Sequence, residues 1–261
     1  ALAYAIDTTP WTGPRAGSVA PELRRRINAN HTRFGAYVET LLTVPGTTAS
    51  AAFAREFTGY LLNQPDAASL VAAYDDFIAD EVLAVPDATV ISGVRFADQL
   101  HSCGRRDADG TLKFDGEGAC GWARLSGRAL SSDPSGAGPG YDETTFGLAA
   151  GAQTEVAEGL VLGAALGWET GSLSMDAADG TVTRFHGGLV GKRAFGATTL
   201  AASVTGGLFQ SDIDRTVVLP SGAVARAESE PDGGYVSAHL RLDHRFDLGA
   251  VTLRPTADAG V

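Results

Sequence analysis

The sequence predicts an all-β transmembrane barrel sheet, an antiparallel meander, preceded by an α-helical region. The first observation is a two-residue rhythm in residues 121–261. In the segment 160–169, large apolar residues alternate with small or polar ones. Because successive side chains of a strand point to opposite faces, this rhythm gives each strand one apolar and one polar face. It predicts seven strands, at about residues 121–130, 143–156, 160–175, 181–194, 198–211, 235–246 and 251–261.

The second observation is that the connections alternate in length. Tight turns are predicted at 157–159, 195–197 and 247–249, and longer connections at 131–140, 176–180 and 212–234. All the short turns then lie at one end of the sheet. Outer-membrane barrels have this layout, with short periplasmic turns and longer extracellular loops. A soluble sandwich with Greek-key connections gives no reason for such an asymmetry.

Strand parity divides the candidate residues of the barrel into two groups. The apolar positions are predicted to face lipid: Leu160, Leu162, Leu166, Trp168, Leu200, Val204, Leu240 and Leu242. The polar positions are predicted to face the lumen: Trp122, Arg124, Arg128, Arg184, His186, Lys192, His239, Arg241, Asp243, Arg245 and Arg254. Some of these cations are expected to bind acidic groups of a helix in the pore, such as Asp98. The alternative is that a wet lumen simply solvates them. Exposed ion pairs are worth only about 0–1 kcal/mol, so such pairs would tune position more than stability.

Residues 18–102 are predicted to be an α-helical linker region. Three apolar stripes at helical spacing, within 23–41, 53–61 and 70–78, predict three helices that pack together outside the pore. Pro65 and Asp66 predict the start of the third. A fourth helix is predicted for 87–101, after Pro86. Residues 1–17 are rich in Pro, Gly and Thr and are predicted to be the tail of a passenger or linker.

The composition excludes some classes of protein and marks one boundary. The net charge of -11 argues against a nucleic-acid partner, because phosphate contacts need clustered Lys and Arg. Of the 33 glycines, 25 follow residue 115, which indicates a domain boundary near 113–121. Cys103 and Cys120 flank a polar loop, 103–120, and a disulfide between them would indicate an oxidising compartment. Two unpaired thiols are the alternative.

The sequence predicts no catalytic, cofactor-binding or metal-binding residue, and therefore no enzyme. The five histidines lack metal-site spacing, and Ser126 lacks the GxSxG elbow of a serine hydrolase. His239 and Asp243 share a predicted face, so an acid–base pair is one interpretation. A polar network in the lumen is the other.

Several short motifs resemble one family in their order and spacing. The run 120–128 (CGWARLSGR), followed by 140–142, resembles the opening of the translocator barrel of autotransporters, the type V secretion proteins of Gram-negative bacteria. Residues 147–153, 162–168, 186–188 and 253–255 continue the resemblance, and 78–82 and 95–103 resemble the family's helical linker.

This resemblance implies an outer-membrane barrel of twelve strands, of which 121–261 would be the N-terminal part. The segment 87–101 would be a pore helix joined to a passenger, at the cell surface or secreted. The implied partners are outer-membrane lipid, the barrel-assembly machinery and the protein's own passenger domain, with no cofactor.

Two other functions stay open at the level of sequence. One is a porin or adhesin-type barrel without a passenger, and the other is a barrel enzyme of the outer membrane. The helical region directly before the first strand favours the translocator. Because the chain begins without Met and ends within a predicted strand, we expect it to be part of a longer protein.

Overall fold

A computed structural model describes residues 29–42, 49–101, 105–106, 112–113, 118–134, 140–249 and 251–261. The helices are α1 (Ala29–Leu42), α2 (Ala49–Leu62), α3 (Ala67–Asp75) and α4 (Ala84–His101), with a 3₁₀ turn at Asp80–Leu83 before α4. The strands of the main sheet are β1 (Cys120–Ser132), β2 (Tyr141–Ala157), β3 (Leu160–Ser174), β4 (Ala178–Phe195), β5 (Thr198–Val218), β6 (Val224–Ser229), β7 (Asp232–His244) and β8 (Thr256–Gly260). Two small ribbons pair Arg105–Arg106 with Leu112–Lys113 and Phe246–Asp247 with Thr252–Leu253. The predicted tail at 1–17 lies outside the described residues.

The main sheet is an antiparallel meander. Its strand order is β8-β7-β5-β4-β3-β2-β1, and β6 pairs with the far half of β5. Strands adjacent in sequence are therefore adjacent in space, apart from the insertion of β6. The predicted antiparallel meander, with an α-helical region before it, is confirmed.

Two of the predicted long connections are wrong. Within 212–234, β5 continues to Val218 and β6 returns along it, with Ile213 opposite Ser229. Asp214 and Arg226 are poor strand residues, but they form a cross-strand ion pair at 2.7 Å, and the backbone ladder holds them extended. Within 176–180, β4 already begins at Ala178, because Ser174 pairs with Asp179 across a tight turn.

The two ends of the sheet differ. One end, called the short-turn end here, holds the two-residue connections 158–159 and 196–197, where Gly159 and Gly196 have φ values of 67° and 61°. Only glycine adopts such values at little cost, so these positions fix the tight turns. The opposite end, called the loop end, holds the 133–140 connection and the β5–β6 hairpin.

Helices α1 to α3 pack on one another through an apolar cluster. The cluster contains Val38, Phe57, Leu61, Ala73, Tyr74 and Ile78. His31 Nε2 also contacts Asp75 Oδ1 at 2.8 Å and joins α1 to α3. Asp66 is the N-cap of α3, as predicted, and accepts a hydrogen bond from the Ser69 amide. This bond favours the charged carboxylate and lowers the pKa of Asp66.

Helix α4 begins at Ala84, three residues before the predicted start. Pro86 does not mark the boundary, because the amide hydrogen that proline lacks forms no hydrogen bond within the first turn of a helix.

The sheet curves around α4. A helix roughly 10 Å wide contacts β2, β3, β4, β5 and β7, although neighbouring strands are about 4.8 Å apart. We call the face that packs on α4 the inner face and the opposite one the outer face.

The direction of α4 follows from its contacts. Near its start, Val85 and Ala88 pack with Tyr141, Leu173 and Ile213 at the loop end. Near its end, His101 contacts Ser203, close to the short-turn end. Strand β1 then starts at the short-turn end, where Cys120 pairs with Gln153. Among the described residues, no helix is long and apolar enough to cross a membrane.

Candidate functional site: the inner face and its helix

An ion network lies beneath the first half of α4. Arg184 on β4 contacts Glu143 on β2 at 2.6 Å and Glu169 on β3 at 2.9 Å, and its Nε donates to Thr89 Oγ1 of α4 at 2.8 Å. Glu143 also pairs with Arg128 on β1. The register explains the arrangement, because Glu169 lies directly opposite Arg184. The network therefore fixes α4 to four neighbouring strands.

Both members of the central pair are buried. Arg184 is 0% exposed and Glu143 is 1% exposed. This pair is therefore buried and not exposed, because α4 covers it and removes it from water. Deleting one partner of a buried pair leaves an uncompensated charge and typically costs about 3–5 kcal/mol.

A ring network lies one turn further along α4. Ser92 donates to Glu169, and Phe96 stacks on His186 with ring centroids 5.3 Å apart. His186 Nδ1 lies 2.8 Å from the hydroxyl of Tyr235 on β7. These contacts join α4 to three strands through a hydrogen bond and ring stacking, in addition to the ion pairs.

Polar contacts also hold the two ends of α4. At the loop end, the Tyr141 hydroxyl donates to Asp87 at 2.8 Å. At the short-turn end, Arg241 donates to Asp98 at 2.8 Å, and Lys192 Nζ donates to the His101 carbonyl at 3.4 Å. Both ends and the first half of α4 therefore have polar partners on the sheet.

The predicted lumen residues form several separate groups. Those with direct polar or ring contacts to α4 are Arg184, His186, Lys192 and Arg241. Trp122 packs beside the apolar residues of α4, and Arg124 lies over the Trp122 ring. Arg128 pairs with Glu143, which contacts Arg184 beneath α4.

Four other predicted lumen residues have polar contacts with residues of β7, β8 and the segment between them. His239 contacts Ser237 at 3.1 Å, whereas Asp243 accepts from Thr256 at 2.7 Å. Arg254 lies 3.6 Å from Asp243, and Arg245 pairs with Asp247 just beyond β7. The hypothetical His239–Asp243 acid–base pair therefore has its polar contacts elsewhere.

The predicted lipid-facing residues lie on the outer face. Seven of them are exposed, from 37% at Trp168 to 74% at Leu166, and Leu160 at the turn is half-buried. Val236, Leu208 and Leu189 extend this exposed apolar surface. A continuous apolar surface of this kind is rare in a soluble protein.

Several functional residues were not predicted from the sequence. Glu143 and Glu169 have the same strand parity as the inner cations, so their parity could have identified them. Tyr141 and Thr89 could not be found in this way, because their partners lie 54 and 95 positions away.

The structure gives no support for a metal centre or hydrolase site in its described part. No group of three or more His, Cys, Asp or Glu side chains that could hold a metal occurs there. Ser126 contacts the Gly147 carbonyl at 3.5 Å. Cys120 is disulfide-bonded, but Cys103 lies outside the described residues, and the predicted Cys103–Cys120 pair stays a prediction.

A curved antiparallel sheet with an apolar outer face and a helix against its inner face defines the class of outer-membrane barrel domains. The sequence profile of the autotransporter beta-domain family matches residues 121–261, more than half of the chain. The chain belongs to this family. Autotransporter beta-domains reside in the Gram-negative outer membrane, which is the location of this chain.

Solved structures that are similar to the chain include two autotransporter domains. The beta domain of the Bordetella autotransporter BrkA is 22% identical, covering 55% of this chain and 57% of its own, with a TM-score of 0.43. The translocator domain of the autotransporter NalP from Neisseria meningitidis is 15% identical, covering 70% of this chain and 77% of its own, with a TM-score of 0.45. The chain thus spans just over half of the BrkA domain. No curated protein matches it.

Proposed function

We propose that this chain is the translocator part of an autotransporter, which anchors a passenger domain and exports it to the cell surface. The observation that carries the proposal is α4 itself. It lies along the inner face and is bound by polar contacts at Asp87, Thr89, Ser92 and Asp98. A helix held in this way suits a pore, because its polar partners all lie on the barrel wall.

The chain direction supports export through the lumen. If the short-turn end faces the periplasm, as in known barrels, the loop end is extracellular. Helix α4 then carries the chain from outside to the periplasmic side, where β1 begins. Its eighteen residues span about 27 Å at 1.5 Å per residue, close to the height of the apolar band. A passenger upstream of α1 would lie outside the cell.

The same proposal assigns the partners. The outer face would contact outer-membrane lipid, and the barrel-assembly machinery would insert the barrel. We propose no catalytic activity for this chain, since the contacts of His239, Asp243 and Ser126 suit a structural role. Any enzymatic activity would belong to the passenger.

Cross-linking in the outer membrane of cells that express the whole protein tests the proposal. Cysteines replacing Asp98 and Arg241 should link efficiently through a short bis-maleimide, because the two side chains are in contact. The matched control pairs Asp98 with Leu240, the neighbour of Arg241 on the outer face, and should not link.

Passenger display provides the second measurement. Deleting residues 87–101 should abolish the surface exposure of the passenger, measured by protease accessibility on intact cells. A missing Asp98–Arg241 link together with normal display after the deletion would overturn the pore-helix mechanism. Normal barrel insertion with no passenger attached would instead favour a porin or adhesin.

A further inference from the structure

Gly93 is the only glycine of α4, and it lies in the middle of the helix. Glycine there destabilises a helix relative to alanine, because it costs more backbone entropy on ordering. A mid-helix glycine therefore points to a packing requirement, and the contacts of Gly93 identify it.

Tyr235 on β7 occupies the space where a side chain at position 93 would lie. A Cβ on Gly93 would be 2.6 Å from Tyr235 Cζ, 2.7 Å from Cε2 and 2.9 Å from the hydroxyl oxygen. Real Cβ atoms essentially never make contacts shorter than 3.0 Å, so even alanine requires the ring or the helix to move.

The Tyr235 ring is held from two further directions. On the sheet it lies over Gly207, where a Cβ would be 2.6 Å from Cε1 of the ring. Its hydroxyl is bonded to His186 Nδ1 at 2.8 Å. The ring thus fits between two glycines, one on the strand and one on the helix. Because its neighbours oppose movement of the ring, a clash at Gly93 favours movement of the helix.

The next two turns of α4 repeat this complementarity with the sizes exchanged. Phe96 lies over Gly167, whose Cβ would be 3.0 Å from the Phe96 ring, and Leu100 lies over Gly188, whose Cβ would be 2.6 Å from Leu100 Cδ1. Large residues of the helix therefore face glycines of the wall, and the helix glycine faces a large residue of the wall.

This pattern admits one axial position of the helix. A slide by one turn, about 5.4 Å, brings Thr89 or Ala97 opposite Tyr235, and both carry a Cβ. We propose that Gly93 is a positioning residue for translocation, and that with Tyr235 it forms a size-matched register lock that sets where the linker helix stops in the pore. This inference rests on the proposed function.

The test compares two cross-links in the outer-membrane protein. Cysteines replacing Asp98 and Arg241 report the native register, and cysteines replacing Val94 and Arg241 report a helix displaced by one turn. In the parent protein the first link should predominate. Gly93→Ala should lower the ratio of the first link to the second by ~tenfold or more, because overpacked sites relax by shifting backbone.

The matched control is Gly59→Ala in α2. A Cβ at Gly59 meets nothing within 4 Å, so the same substitution should leave the ratio unchanged. The double variant Gly93→Ala with Tyr235→Ala should restore the native link, since the clash is removed. If the double variant fails to assemble, Gly93 is replaced by Ala, Ser and Val in turn. The ratio of the native link to the displaced link should then fall as the side chain at position 93 grows.

Two outcomes separate the lock from the proposed function. A parent-like ratio in Gly93→Ala, or no trend with size at position 93, would overturn the register lock. Absence of both links in the parent protein would instead contradict the placement of α4 in the pore.

Discussion

Arg241 on β7 and Asp98 on α4 are 143 positions apart in sequence and meet through a 2.8 Å hydrogen bond. Asp98 is 60% exposed and Arg241 is 18% exposed, and Arg241 also pairs with Asp258 on β8. The bond therefore lies at the border between the protein interior and water, unlike the buried pair of Arg184 and Glu143.

We expect Asp98→Asn to change the free energy of unfolding by no more than about 1 kcal/mol, because water screens a half-exposed pair. Urea unfolding in lipid vesicles measures the change, and high salt should reduce it further. A loss of several kcal/mol would contradict the exposed character of this pair.

Glu143→Gln should have a far larger effect. It leaves the buried Arg184 and the adjacent Arg128 without their shared carboxylate, and we expect a loss of about 3–5 kcal/mol in the same unfolding experiment. Asp142→Asn is the matched control, because Asp142 is the exposed neighbour on the outer face. Equal effects of the two variants would contradict the network.

Leu166→Arg should impair the barrel in lipid. Leu166 is the most exposed of the predicted lipid-facing residues, and an arginine near the midplane costs about 2–4 kcal/mol. Leu248→Arg, at an exposed turn residue of the short-turn end, should have little effect. Similar assembly of both variants, measured by protease resistance in outer membranes, would argue against a lipid-facing outer face.

Asp66→Ala should speed amide exchange of Ser69 several-fold, because the helix loses its N-cap acceptor. In the parent protein, the protection factor of the Ser69 amide, which is corrected for the intrinsic pH dependence of amide exchange, should itself depend on pH. The folded-state pKa of Asp66 lies below its ordinary value, so the stabilisation is present above that ordinary value and disappears as pH falls through the folded pKa. Asp66→Asn keeps an acceptor and should retain the protection factor of the Ser69 amide, without the contribution that follows the charge of the carboxylate.

The Cys103–Cys120 disulfide should be found in protein isolated from the periplasm or outer membrane. Mass spectrometry of non-reduced peptides should give one linked pair. A loop of this size would contribute roughly 3 kcal/mol, so reduction should lower the unfolding midpoint. Two alkylated free thiols in the oxidised sample would refute the pair.

The barrel sheet could be predicted from sequence because its signal is local. The parity of Leu160 to Trp168 is repeated along one strand, and each strand pairs with its neighbour in the chain. Strand β6 escaped prediction for a physical reason. It is stabilised by backbone pairing with β5 and by the Asp214–Arg226 contact. The apolar residues on its half-buried face are alanines, which give a weak parity signal.

The binding of α4 was only partly predictable. Asp98 was identified as a partner for a lumen cation, because it is an acidic residue on the candidate pore helix. Glu143 was missed as the centre of the network, since which cations share one carboxylate depends on strand order and register. The fit of Gly93 against Tyr235 depends on atomic shape at long sequence separation, which no periodic pattern contains.

Arg215 near the loop end of β5 has a mechanical consequence. Its guanidinium donates to the carbonyls of Asp75 and Asp76, where α3 ends, and lies 3.5 Å from Glu81 in the 3₁₀ turn. Tension applied to the chain upstream of α1 is therefore transmitted to Arg215, which binds the chain at Asp75 and Asp76, before it is transmitted to α4. Strand β5 receives that tension, and it is hydrogen-bonded on both edges. In the proposed translocator, a passenger under shear would therefore strain the barrel wall before it could draw the helix from the pore.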